Sequence, residues 1–323
     1  MLNNLEIKNK IEDKFNFTIV ILTYNRCEIL SILLNELLSI QRSDLETIIV
    51  DNGSTDDTYK MIKSDYPNFK VIRLNQNYGA IGRNFGMRIA TGKYIVTIDD
   101  DILGFNENVL EKLLVMFQKK PSMGTVCFKV IDYYNGKVCN WCHPKKVEDY
   151  EDTPFETCEI AEGAVAFRRE TLKKSGLYTK ELFISHEGAD LAARIIDAGY
   201  EIHYKPSILV KHKYARKARE NWRRYYYDTR NDFWLVILNY RFTFGLTHLA
   251  RRIPVTFIYS LRDGYLRYWF KAVCVAIKEI PKMLSQRRPI SLITQRKLRL
   301  LNKHKPGLLY YFTKRFFSKQ VRI

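Results

Sequence analysis

The stretch YIVTIDDD, residues 94–101, is an apolar, β-branched run from Tyr94 to Ile98 that stops on Asp99, Asp100 and Asp101. A run without polar alternation reads as a strand covered on both faces, and such strands belong to parallel sheets flanked by helices. The surrounding sequence repeats the pattern. FTIVIL (17–22) ends at Thr23-Tyr24-Asn25-Arg26 and passes into a helical pattern from Glu28 to Ile40, with Leu30, Leu33, Leu34, Leu37 and Leu38 at helical spacing. Thr47 to Val50 stops at Asp51-Asn52-Gly53-Ser54-Thr55-Asp56, whose Ser, Thr and Asp cap a short helix to Ile62. Lys70 to Leu74 leads through the loop Asn75 to Gly79 to a helix over Arg83 to Ala90. This alternation predicts an α/β fold with a mostly parallel sheet and right-handed crossovers. Ligands of such sheets bind at the carboxyl ends of the strands. Thr23 to Arg26, Asp51 to Asn52 and Asp99 to Asp101 all fall there.

Downstream, a helix is expected over Val109 to Phe117, then irregular antiparallel strands and loops over 124–158. An apolar stretch follows from Gly163 to Phe167, a helix near Glu170 to Ser175, and a helix opened by Glu187-Gly188-Ala189-Asp190-Leu191 and closed by Gly199. Two short strands, Tyr200 to Tyr204 and Ile208 to Val210, deliver His212. Beyond it the chain reads as helices: Trp222 to Tyr240, a break at Pro254, and Val255 to Ile280. The last has an apolar face (Ile258, Leu261, Tyr265, Trp269, Val273, Ile277, Ile280) with Arg267, Lys271 and Lys278 opposite. A basic amphipathic helix of this kind suits a membrane interface.

The 323 residues are 46% hydrophobic and 27% charged, which excludes fibres and wholesale disorder. The net charge of +18 is uneven: residues 1–210 carry 26 Lys/Arg against 30 Asp/Glu, and residues 211–323 carry 27 against 5. An acidic unit that does chemistry and a basic one that meets an anionic surface are implied. The basic run Lys211, Lys213, Arg216, Lys217, Arg219, Arg223 and Arg224 would suit nucleic acid by composition, but no nucleic-acid-binding signature accompanies it, so an anionic membrane surface is the preferred partner. Residues 1–17 have no apolar core of export-signal length, and no apolar run approaches the ~18 residues of a membrane span. A cytoplasmic address, peripheral on the inner face of the membrane, and reduced thiols at all six cysteines are expected.

Three adjacent carboxylates at a strand end repel one another, and a site that keeps them ionised holds a divalent cation or a ribose. Hard oxygen ligands suit Mg2+ or Mn2+. Asp51 can accept hydrogen bonds from a base or ribose. Arg83 and Asn84 open a helix behind Gly79 and Gly82 and offer donors to a phosphate or sugar. Cys139-Asn140-Trp141-Cys142-His143 matches the haem-attachment spacing and, with Cys158, a zinc set, yet an ordinary loop is the preferred reading.

IVILTYNR (19–26), IIVDNGSTD (48–56), NYGAIGRNFG (77–86), YIVTIDDD (94–101) and EGADLAARIIDAG (187–199) stand in this order. Together they resemble the family 2 glycosyltransferases of bacterial cell-surface polysaccharide synthesis, inverting enzymes with the GT-A fold. The resemblance spans Phe17 to His212. It implies a mostly parallel nucleotide-sugar-binding sheet flanked by helices over 17–210, after an N-terminal arm (1–16) and before a basic amphipathic helical region (211–323). It further implies that Thr23, Tyr24, Asn25, Arg26, Asp51, Asn52, Asn77, Arg83, Asn84, Asp99 and Asp100 hold the nucleotide-sugar. Asp101 and His212 would hold Mg2+ or Mn2+. Where the family usually has Glu-Asp-x-Asp-Leu this chain has Gly188, so Glu187 becomes the expected base and Asp190 its helix-orienting partner.

The resemblance thus implies a metal-dependent transfer from a UDP- or dTDP-sugar to a hydroxyl of a lipid-linked or glycan acceptor. A sugar-phosphate nucleotidyltransferase shares the sheet but carries a Gly-rich basic loop after its first strand, which Thr23 to Glu28 lacks. A non-catalytic basic adaptor would leave the carboxylate edge without purpose.

Overall fold

The computed structural model describes residues 15–214, 222–307 and 309–310. Arg216, Lys217 and Arg219 of the basic run, and positions 1–14 of the N-terminal arm, lie outside the described residues. Strand β1 (Phe15–Thr23) leads through α1 (Cys27–Leu38) to β2 (Leu45–Asp51), and α2 (Thr58–Asp65) leads on to β3 (Lys70–Arg73). A 3-10 turn (Gly79–Gly82) runs directly into α3 (Arg83–Ile89), which returns the chain to β4 (Gly92–Asp99). These strands are parallel in the order β3-β2-β1-β4, with Thr23 opposite Asp51 and Leu22 opposite Asp99. The loops flagged in the sequence therefore emerge side by side.

The strands lack polar alternation because both faces are covered. Val20, Ile48, Val50 and Ile95 pack into one core with Met87 of α3, while Ile19, Ile21, Ile49, Val96 and Ile98 pack into another with Leu30, Leu33 and Leu34 of α1. The sheet then turns antiparallel and curls. After β5 (Ile102–Leu103), α4 (Glu107–Lys119) and β6 (Met123–Asp132) come the short α5 (Val147–Tyr150), β7 (Phe155–Thr157), β8 (Ala164–Arg168), α6 (Arg169–Ser175), α7 (Glu187–Asp197) and β9 (Glu201–His212). The order continues β4-β8-β6-β9-β5, with β7 also on β9.

Two expectations are corrected here. Tyr200 to Tyr204 and Ile208 to Val210 belong to one strand, β9, whose pairing with β6 jumps from Phe128–Lys205 to Lys129–Leu209. Pro206 sits in that irregularity, where a missing N–H costs no ladder bond. Nor is the region 124–158 purely antiparallel, because β6 runs parallel to β9. The β9 strand continues past residue 210, and its pairing of His212 with Ile102 carries the histidine to the acidic edge.

The C-terminal helices are α8 (Trp222–Asn239), α9 (Phe242–Arg262), α10 (Leu266–Lys278), α11 (Ile280–Ser285) and α12 (Leu292–Leu301). Pro254 lies inside α9; the break comes instead at Gly264, whose φ of +78° lies in the left-handed region that glycine occupies without cost. The single apolar face expected over Val255 to Ile280 is accordingly split. Trp269 turns toward α9 and donates from its indole to Thr256 Oγ1 at 3.0 Å, whereas Phe270 and Ile277 point outward. The α8 helix buries a polar face, Thr229, Arg230, Asn231 and Asp232, against the segment that precedes α7.

Candidate active site

Each loop at the strand ends is braced by its neighbour. Asn25, at φ +53°, accepts at Oδ1 from the Thr55 N–H at 2.8 Å, and its own N–H donates to Ser54 Oγ at 3.0 Å. The chain bends there so that Tyr24 stands 40% exposed at the rim. Thr23 faces inward and its hydroxyl donates to Asp100 Oδ2 at 2.8 Å. Burial, then the adjacent Asp101 carboxylate, push the Asp100 carboxyl up to about 7.

Asp51 is fully buried. Its Oδ1 accepts from the Ser54 N–H at 2.9 Å; its Oδ2 has no hydrogen-bond donor, and the Arg73 Nε is 3.7 Å away. An orphaned buried acceptor at a strand end suits an N–H or O–H of a bound ligand. Asn52, Asn77 and Asn84 spend their amides on the protein. Asn52 Nδ2 donates to Asn77 Oδ1 at 3.0 Å and to the Gly79 carbonyl at 3.1 Å, and Asn84 Nδ2 donates to the Tyr178 carbonyl at 2.7 Å. These residues shape the 77–84 turn on which Arg83 stands.

Arg83 is buried and ion-paired with Asp99, which keeps its guanidinium charged against the cost of burial. Gly163, at φ +84°, is pressed so closely on the Asp99 carboxylate that a Cβ would collide with it, and its carbonyl accepts from the Asp99 N–H at 2.9 Å. Beyond Asp99 the chain turns, and Asp101 meets His212: Nε2 lies 3.0 Å from Asp101 Oδ1, while Arg26 Nη1 lies 3.8 Å from Oδ2. Burial alone would lower the His212 pKa, but the Asp101 hydrogen bond outweighs it and raises the imidazole to about 9. On the other side, the Asn140 amide hydrogen-bonds His212 Nδ1 at 3.0 Å.

Asn140 was absent from the sequence expectation. It belongs to the Cys139 to His143 segment, whose Trp141 and His143 instead pack with Phe155 and Tyr204 as aromatic core. Among the described residues, no three or more His, Cys, Asp or Glu side chains cluster as a metal-binding group. Asp101 and His212 are thus a two-residue set, joined from the turn after β4 and the end of β9.

The opposite wall is the start of α7. Asp190 is fully engaged: Oδ2 accepts from Thr179 Oγ1 at 2.7 Å and from Arg194 Nη2 at 2.5 Å, and Oδ1 accepts from Asn239 Nδ2 at 2.6 Å. It anchors the helix to α8. Glu187 is 4% exposed, its Oε2 has no hydrogen-bond partner, and burial pushes its pKa up. Facing it is Glu162, pushed up by burial and then by the Glu187 charge.

The segment before α7 is strained, with Phe183, Ser185 and His186 all at positive φ. Asn231 of α8 holds it by donating from Nδ2 to the carbonyls of Leu182 (2.9 Å), Ile184 (2.9 Å) and Ser185 (2.6 Å). Asp228 accepts from the Ser185 hydroxyl at 2.6 Å, and His186 Nε2 lies 3.3 Å from Asp232, which also meets His248 and Arg252 of α9.

Thr23 to Arg26, Asp51, Asp99 to Asp101, Arg83 and His212 therefore share one edge, with the acidic start of α7 opposite. Residues 18–176 match the family described as Glycosyl transferase family 2. The chain belongs to glycosyltransferase family 2. Among relatives, it is 24% identical over 192 residues to an O-antigen chain rhamnosyltransferase, WbaN, of Salmonella anatum, covering 56% of this chain and 60% of that protein. The chain thus spans less than two thirds of that relative's length.

Among solved structures it superposes on Staphylococcus aureus TarS 1–349 in complex with UDP-GlcNAc with a TM-score of 0.59 at 17% identity, covering 95% of this chain and 93% of that one. A mannosyltransferase, PcManGT of Pyrobaculum calidifontis in complex with GDP-Man and Mn2+, gives 0.51 at 17% identity over 94% and 88% of the two chains. These likenesses establish the GT-A-like fold for the family 2 domain and for the helices that follow it.

Proposed function

We propose that this glycosyltransferase moves a sugar, with inversion, from a nucleoside-diphosphate sugar to a hydroxyl of a membrane-bound glycan acceptor in cell-surface polysaccharide synthesis. The single observation that carries the reading is the convergence of Asp101 and His212 at 3.0 Å, beside the Asp99–Arg83 pair, on the edge where Asp51 keeps a buried oxygen without a hydrogen bond. The O-antigen relative supports the polysaccharide role, and the UDP-GlcNAc complex of TarS supports the donor class.

Asp51 Oδ2 accepts from the base or ribose, and the loop 23–26 lies beneath it. Arg83 and Arg26 face the diphosphate with positive charge, and Asp99 fixes the Arg83 guanidinium. Asp101 and His212 fit Mg2+ or Mn2+, since a carboxylate and an imidazole leave most of the coordination to diphosphate oxygens and water. Such a cation, when bound, neutralises charge developing on the leaving diphosphate. A carboxylate of the facing Glu162–Glu187 pair removes the acceptor proton.

A panel of UDP-, dTDP- and GDP-sugars incubated with Mn2+ and a lipid-linked glycan acceptor tests the reading. Acceptor-dependent release of nucleoside diphosphate supports it, pyrophosphate would indicate a nucleotidyltransferase, and no turnover would leave a binding role.

The outer helices support the reading of a membrane partner. No helix of the described residues is long and apolar enough to cross a membrane. Phe242, Leu246, Ile258 and Leu261 of α9, Phe270 and Ile277 of α10, and Ile293 and Leu300 of α12 are exposed. On α10 they alternate with exposed Arg267, Lys271 and Lys278. Apolar side chains among cations suit an anionic lipid surface. The triple variant Phe270→Ser, Lys271→Glu, Ile277→Ser, at outward positions that leave the core intact, should cut the fraction floating with anionic vesicles about tenfold, from ~1 kcal/mol per basic residue plus the lost apolar burial. Unchanged flotation would reject this surface.

A further inference from the structure

Gly188 fits where it does because Glu162 and the Ile160 carbonyl leave no room for anything larger. A Cβ on Gly188 would run into Glu162 Oε1 and the Ile160 carbonyl oxygen. Glu162 comes from the turn before β8, on the strand that pairs with β4, while Gly188 lies in the first turn of α7. A carboxylate from one element thus fills the space that a side chain from the other would occupy. The next residue, Gly163, touches Asp99, so Glu162 sits immediately beside the nucleotide edge. Of the two facing acids, Glu187 is almost wholly enclosed, whereas Glu162 is partly exposed.

We propose that Glu162 is the catalytic base, reaching from the turn before β8 the place that a side chain at 188 would reach from α7, and that Glu187 is a positioning residue. This rests on the glycosyltransferase reading above. As the acceptor oxygen's electron pair bonds to the anomeric carbon, the carbon–oxygen bond to the diphosphate breaks and its electron pair leaves on the nucleoside diphosphate. The hydroxyl proton passes to the Glu162 carboxylate, which the next solvent exchange deprotonates.

Two like charges in an enclosed site do not ionise together easily, which keeps the base basic enough to accept a proton near neutral pH. The groups facing Glu162 are Glu187 of α7, Arg83 of α3, Glu159 of the preceding loop, the Tyr178 hydroxyl and the Cys127 thiol of β6. Burial and Glu187 raise its pKa and Arg83 lowers it, and the net direction is upward. Since the base must be ionised, activity falls as pH drops through that raised value. Removing the Glu187 charge moves the fall to lower pH.

The test is nucleoside diphosphate release from the same nucleotide-sugar panel with Mn2+, measured across pH for the wild type and four variants. Glu162→Gln and Glu162→Ala should each lower kcat about 10³-fold, the range lost with a general base. Glu162→Asp, which keeps a carboxylate one methylene short of the same place, should retain at least about tenfold over Glu162→Ala, a fraction of that loss. Glu187→Gln should lose less than about tenfold, as suits a group that acts through another, and its acid limb should shift to lower pH. Full turnover by Glu162→Gln, a dead Glu187→Gln, or a Glu162→Asp no faster than Glu162→Ala would each overturn the assignment. Absence of release by the wild type would overturn the glycosyltransferase reading and this assignment with it, whereas turnover by wild type and Glu162→Gln alike overturns the assignment alone.

Discussion

Asp101→Ala should lower kcat/KM for sugar transfer by about 10³-fold while leaving the sheet folded. The carboxylate lies just beyond β4, and its oxygens meet His212 at 3.0 Å and Arg26 at 3.8 Å, so it ties β9 to the first loop. Its removal withdraws the hydrogen bond that keeps His212 protonated, and the imidazole should titrate well below the value of about 9 that it has in the intact site. Asp100 should also ionise more easily, because Asp101 is the second largest contributor, after burial, to its raised pKa. The chemical step loses the oxygen ligand that a carboxylate offers to Mg2+ or Mn2+. Nucleotide affinity measured with and without Mn2+ separates this from a folding defect: wild-type affinity should rise with the metal and the variant's should not. Equal Mn2+ dependence in both would remove Asp101 from the metal site.

The nucleotide edge was legible because its signals are local. Each strand is an unbroken apolar run, each ends on polar residues, and parallel pairing aligns those ends without further information. Asp51 and Asp99 could be placed on one edge, at the ends of the two strands that flank β1, for that reason. His212 was reached only through the family resemblance; nothing local says that β9 carries it to Asp101, since this depends on the two-residue β5 pairing.

Glu162 left no signal. It sits between Ala161 and Gly163 at the head of an apolar stretch, and only the collision at Gly188, 26 positions on, reveals what it does. Asn231 was hidden for the same kind of reason. In sequence it is one polar residue in an aromatic, basic helix that reads as a membrane-facing surface. Its partners are backbone carbonyls 46 to 49 positions earlier, and carbonyls have no sequence identity to recognise. The separation at residue 211 drawn from charge therefore marks a change in composition, while the contacts of α8 run straight back into the catalytic cleft.

That connection makes Asn231→Ala the most consequential change outside the cleft itself. The side chain is completely buried and its amide reaches three carbonyls of the segment 182–185, of which those of Ile184 and Ser185 lie in no helix or strand. Truncation would strand the Ile184 and Ser185 carbonyls, at a cost of about 3 kcal/mol, while the Leu182 carbonyl keeps the Ile184 N–H and the Arg230 guanidinium. The segment also holds Phe183, Ser185 and His186 at positive φ, a conformation that costs roughly 1–3 kcal/mol per residue and persists only while its surroundings enforce it.

Released from α8, these residues should relax toward ordinary backbone angles and shift the first turn of α7, where Glu187 and Gly188 face Glu162. A displacement of about 1 Å there would cost on the order of 10²-fold in kcat. A lowered melting temperature alone would be a packing effect. The expected result is different: kcat falls about 10²-fold at temperatures well below unfolding, and KM for the nucleotide-sugar rises as well, because the Phe183 carbonyl accepts from the Ala80 N–H in the turn that carries Arg83. Wild-type kcat in a folded Asn231→Ala protein would show that α7 holds its position without α8.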